Sequence, residues 1–123
     1  MTEAASPDAL LTGQRLQQAI ASLPAGWRLE GNALTRVYDT TGWKATLMLA
    51  GALGHVCEAA WHHPELTLSF GAVKVALWTH TAGGVTARDV ALARQIEAVA
   101  LWRPDDGVLE GAPPAHAVVK AES

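Results

Sequence analysis

The segment from Thr41 to Trp61 most constrains what this chain can fold into. Its polar residues are few. Lys44, His55 and Glu58 fall on one narrow stripe at about 100° per residue, and the rest is apolar or small. Trp43, Leu47, Ala50, Gly54 and Cys57 form one seam, and Leu49, Leu53, Val56 and Ala60 form an adjacent one. A helix this apolar is buried on more than one side. It is either a central core helix or a helix that also touches a second subunit. Thr40 and Thr41 open it, and it reaches Trp61. His63 precedes Pro64, and a residue before proline is pushed to extended geometry, which ends the helix.

The remaining elements arrange around it. Thr12 is placed to cap a first helix of about ten residues, with Leu16, Ala19, Ile20 and Leu23 on one face. Pro24-Ala25-Gly26 stops it. Trp27 to Glu30 reads as a short strand, Gly31-Asn32 as a turn and Ala33 to Asp39 as the return strand. After the long helix, Leu66 to Phe70 alternates as a half-buried strand does, and Gly71-Ala72 turns the chain. Val73, Val75, Leu77 and Thr79 then alternate against Lys74, Ala76, Trp78 and His80. Gly83-Gly84 breaks the strand. Thr86 starts a third helix to about Leu101, with Leu92, Ala93, Ile96, Val99 and Ala100 facing inward. The order α-β-β-α-β-β-α predicts an α+β fold, with one four-stranded antiparallel sheet and three helices on one face.

At 123 residues the chain is one domain, and half of it is hydrophobic, much of that alanine. Small domains bury modest area, so oligomerisation is expected. Residues 1–11 read as a flexible lead and 12–102 as the domain. Residues 103–123, rich in Gly, Pro and Ala, read as a flexible tail. A net charge of −3 gives no basic footprint for nucleic acid. Met1 to Ser6 has no basic leader, and no apolar run reaches membrane-spanning length. The single cysteine, Cys57, supports no disulfide framework, which fits a reducing, cytoplasmic setting.

Three of the five histidines, His62, His63 and His80, gather on the second hairpin and its borders, flanked by Glu58 and Asp89. Imidazole titrates near neutrality and serves as acid or base without a large shift. On a regular strand, neighbours point to opposite faces. His62 and His63 reach one ligand only if the helix-to-strand junction is irregular; otherwise one is exposed and the other packs against the helix end. The same opposed directions argue against a metal, whose ligands must converge. Thr86-Ala87-Arg88-Asp89 has the spacing of a capping box, which by itself accounts for Asp89. Glu58 is either a solvated acid or a hydrogen-bond acceptor. Trp78 reads as core rather than as a stacking surface.

This pattern resembles the signature of the pterin-4a-carbinolamine dehydratases. Glu58 lies four residues before His62 of His62-His63-Pro64. Phe70 follows Pro64 after five residues, His80 follows Phe70 after nine, and Asp89 follows His80 after eight. The stretch Leu77 to Asp89 extends the likeness, which runs from about Thr12 to Trp102. It implies loss of water from a 4a-hydroxytetrahydropterin to give a quinonoid dihydropterin, in pterin cofactor recycling, without metal or other cofactor. It also implies His62, His63 and His80 as acid and base groups, with Glu58, Pro64, Thr79 and Asp89 binding or orienting the pterin or, for Glu58 and Asp89, a histidine. Trp61 stands where a small or polar residue is common, and Phe70 lacks a tyrosine hydroxyl. The resemblance carries two alternatives. One is a non-catalytic assembly factor for ribulose-bisphosphate carboxylase in the carboxysome pathway; the other is a dimerisation partner of a transcription factor. Retention of His62, His63, His80 and Asp89 favours the enzyme. The partners expected are the pterin and further copies of the chain, as a homodimer or homotetramer, with neither nucleic acid nor membrane.

Overall fold

The computed structural model describes residues 6–122. Helix α1 spans Gly13–Ala21, strand β1 Arg28–Glu30 and strand β2 Ala33–Asp39. Helix α2 spans Trp43–Ala60, β3 Glu65–Ser69, β4 Ala72–Leu77 and α3 Ala87–Ala100; a short 3-10 turn follows at Pro114–His116. The strands form one antiparallel sheet in the order β1-β2-β4-β3, in the expected α-β-β-α-β-β-α arrangement. Strand alternation sets the register. Leu34 pairs with Leu77, Tyr38 with Val73 and Leu66 with Val75, so the apolar set shares one face. Leu34, Tyr38, Val73, Val75 and Leu77 are all buried with Leu49 and Leu53 of α2 and Ala93 and Ile96 of α3.

The same alternation puts Arg36 on the inner face, opposite Val75. Its guanidinium is buried and meets Glu97 of α3, Nε to Oε1 at 3.0 Å and Nη2 to Oε2 at 3.2 Å. Tyr38 Oη and Trp27 Nε1 donate to the same Oε1 at 2.6 and 3.0 Å. Burial alone would push the Glu97 carboxyl up, but the Arg36, Tyr38 and Trp27 donors together hold it below the usual carboxylate range. The sequence pattern did not indicate this cluster.

Helix α2 buries Ala45, Thr46, Leu49, Leu53 and Cys57. One line therefore faces the sheet, not two complete seams. It takes Leu49 and Leu53 from one seam and Cys57 from the other. Trp43 and Leu47 are each 48% exposed. Thr46 fits on the buried line because its hydroxyl meets Thr40 Oγ1 at 2.7 Å and the Ser69 carbonyl at 3.0 Å. Cys57 is a free, buried thiol, pushed up to about 11 by desolvation. Thr12 is the N-cap residue of α1, but its side chain makes no capping hydrogen bond. That helix packs from the edge through Leu16, Ala19 and Ile20.

Residues of both chain ends make contacts with the domain. Residues 1–5 and 123 lie outside the described residues. Leu11 N–H donates to the Val85 carbonyl at 2.8 Å. At the other end Ala117 and Val119 are buried, Val119 bridges Thr40, and Lys120 N–H donates to the Asp39 carbonyl at 2.8 Å. The cause is the shortness of β1, which pairs only with Ala33 to Thr35. The rest of the outer edge of β2 is open, and open strand edges are readily paired or covered. The end of the chain occupies it.

Candidate active site

Helix α2 ends on Trp61, whose φ of 53° is left-handed. Among the described residues it is the one non-glycine with positive φ. Trp61 N–H reaches back to the Glu58 carbonyl and His62 N–H to the Cys57 carbonyl, each at 3.1 Å. This is the bonding of a left-handed helix terminus. The junction is therefore irregular, as the sequence required for the two histidines to converge. His62 turns inward, its side chain 16% exposed, and His63 stays outside at 53%. Both nevertheless line one open depression of ≈ 650 Å³, together with Trp61, Thr79, His80 and Arg88.

His62 is held from behind. Its Nε2 lies 2.6 Å from Asp89 Oδ1. Asp89 is fully buried, and its Oδ2 accepts from Thr86 N–H and Thr79 Oγ1, each at 2.8 Å. The Thr79 and Thr86 hydroxyls are 2.7 Å apart. Asp89 thus completes the capping box of α3 and also binds a histidine. A carboxylate only accepts, so in this pair Nε2 of His62 donates and Nδ1 is the ring nitrogen left for other partners. A buried acceptor with every partner in place fixes the ring.

The other two imidazoles are held more loosely. His63 Nε2 lies 2.8 Å from Glu58 Oε1, and both groups are exposed. Glu58 therefore acts as an acceptor for a histidine and does not itself line the depression. His63 also meets Trp61 edge-on, with ring centroids 5.0 Å apart at 82°. His80 is exposed and stacks on Trp78 at 4.7 Å and 5°. Trp78 is only half-buried and lies outside the core cluster, contrary to its core reading. Pro64 shapes the junction without lining the depression. Phe70 is 73% exposed, with its ring over Gly42 at the start of α2. Sequence reasoning missed Arg88 and the placement of Trp61. Arg88 Nε donates to the Asp8 carboxylate, a bond that holds the Asp8 carboxyl below its usual range. The signal for Arg88 was its position beside the cap residue Asp89.

Sequence and fold comparisons find related proteins. The family pattern described as Pterin 4 alpha carbinolamine dehydratase matches residues 9–99. A relative from Aquifex aeolicus (strain VF5), provisionally named a pterin-4-alpha-carbinolamine dehydratase, is 43% identical over 72 residues, 58% of this chain and 73% of its own. One from Natronomonas pharaonis, with the same provisional name, is 37% identical over 90 residues, 73% of this chain and 95% of its own. Among solved structures, a "transcriptional coactivator/pterin dehydratase" from Brucella melitensis superposes with a TM-score of 0.66 at 30% identity, covering 72% of this chain and 96% of that one.

Proposed function

The chain belongs to the pterin 4 alpha carbinolamine dehydratase family, and we propose that it removes water from a 4a-hydroxytetrahydropterin by histidine acid–base catalysis, in pterin cofactor recycling. The observation that carries this reading is the buried Thr79–Thr86–Asp89 network. It fixes His62 at the floor of a depression that His63 and His80 also line. In the reaction, the lone pair of the ring nitrogen beside the hydroxyl-bearing carbon forms a C=N bond as the C–O bond breaks. A protonated imidazole gives its proton to the departing oxygen, and water leaves. A neutral imidazole takes the proton from the ring nitrogen, leaving the neutral quinonoid dihydropterin. His62 suits the second task, because the Asp89 carboxylate stabilises the imidazolium that forms. His80 and His63, the more exposed pair, serve the departing oxygen. Glu58 orients His63, while Thr79 orients His62 through Asp89. Pro64 sets the direction of both neighbouring histidines.

The test is the decay of a 4a-hydroxytetrahydropterin, followed by absorbance at micromolar protein. The protein accelerates it, and His62→Ala lowers kcat by about 10²–10⁴-fold. A wild-type rate equal to that of buffer would overturn the catalytic reading. We further propose a cytoplasmic homodimer or homotetramer. Support for the assembly is the apolar surface left on one chain, Trp43, Leu47 and Met48 of α2 with Leu68 and Phe70 at the β3 edge. Support for the compartment is the lone buried cysteine. Among the described residues no helix is long and apolar enough to cross a membrane.

A further inference from the structure

We propose that the Trp61 indole is the wall of the histidine depression against which the near-planar pyrimidinone half of a bicyclic pterin stacks, which makes Trp61 a specificity-determining residue for the ring system of the substrate. This deepens the dehydratase reading and rests on it. Nothing in the fold calls for tryptophan at this position. The residue is 75% exposed, so its large apolar surface gains little from burial. Its backbone is left-handed at φ 53°, a conformation that glycine or asparagine adopts at helix ends and that a bulky side chain adopts only against strain. Strain of this kind gathers at functional sites, where the surrounding structure holds it in place. Here the surroundings are identifiable. The two backbone bonds to Glu58 and Cys57 lock the turn, and the indole sits perpendicular to the His63 ring.

The indole borders the depression lined by His62, His63 and His80. In a perpendicular pair, at most one indole face is occupied by the partner. The other face stays available, as the exposure of the residue requires. The pyrimidinone half of a pterin presents a near-planar face much as a nucleobase does, and stacking of such a ring on an aromatic side chain needs no particular hydrogen-bond pattern. The imidazoles then read the edge of the ring while the indole holds its face. A substrate with the same polar groups on a smaller, non-planar frame would lose the second contact.

The experiment uses the full chain with Trp61→Ala, Trp61→Phe and Trp61→Gly variants. Calorimetric titration with 7,8-dihydrobiopterin, a flat pterin that does not react, reports affinity. Steady-state dehydration kinetics report KM and kcat. The Ala and Gly variants should bind about tenfold more weakly, with KM raised in step and kcat within about threefold of wild type. Phe should recover most of the loss. Gly should at the same time raise Tm by a few degrees, because glycine accepts the left-handed turn without strain. A variant that is more stable yet binds more weakly marks a ligand contact and not a structural one. Two results would overturn the proposal, and they are distinguishable. Wild-type affinity and turnover in Trp61→Ala would remove the Trp61 contact and leave the dehydratase reading standing. Neither binding nor turnover by the wild-type protein would remove both.

Discussion

Asp89 shows how one side chain serves fold and site together. Its Oδ2 closes the first turn of α3, and its Oδ1 holds His62. Asp89→Asn keeps the size but replaces one acceptor oxygen with a donor. It should cost about 1 kcal/mol of stability through the cap, read by urea denaturation, and lower kcat far more than it changes KM. The cap was legible from the Thr86-to-Asp89 spacing. The reach of Asp89 to a histidine was implied only by the family resemblance, and which histidine was not legible, because the contact crosses from one helix end to another and depends on how α2 and α3 meet. Glu97 was less legible still, since an acid beside Ile96 on an amphipathic helix reads as solvated. Its folded carboxyl lies below the ordinary value of 4.5, so its contribution is fully present above that value and is lost as pH falls through the folded one. Glu97→Gln should therefore cost about 1–3 kcal/mol at neutral pH, because the buried Arg36 keeps only the half-exposed Glu122 as a charged partner. It should also flatten the acid side of the stability curve, as denaturant melts at a series of pH values would show.

Among the elements, α2 sets the architecture and was the most visible in the sequence. Its period showed that one side is core, but with two apolar seams it did not show which. Packing against the sheet selects Leu49 and Leu53, 3% and 0% exposed, and leaves Trp43 and Leu47 at the surface. Leu53→Ala should cost about 2–5 kcal/mol, and Leu53→Lys should prevent folding rather than dissociate an assembly. Leu47→Lys should leave the chain within about 0.5 kcal/mol of wild type while weakening association. Sedimentation at micromolar concentration separates the two effects, and a clean monomer of the wild-type protein would refute the proposed oligomer. Thr46 lay hidden on the buried line because its partners, Thr40 and the Ser69 carbonyl, adjoin it only after the β3–β4 hairpin folds back.

Across the whole molecule, the domain core follows the alternation and turn signals of the sequence, whereas its closure does not. Residues 103–122 lack a period, and their buried pair, Ala117 and Val119, is too short an alternation to stand out. The matched family pattern ends at residue 99, so this strap is an addition to it. Ending the chain at residue 116 should lower stability by about 2 kcal/mol for Val119 alone, measured as a fall in Tm with the site residues unchanged. Cys57 lies on the buried side of α2, within the core. With its thiol pushed up to about 11 and only 2% exposed, it offers an alkylating reagent almost no thiolate and almost no access. Labelling can proceed only when α2 lifts away, so the chain carries its own clock for opening. The labelling rate counts excursions of the closed state that no equilibrium melt resolves, and it would run faster in a chain that lacks the strap.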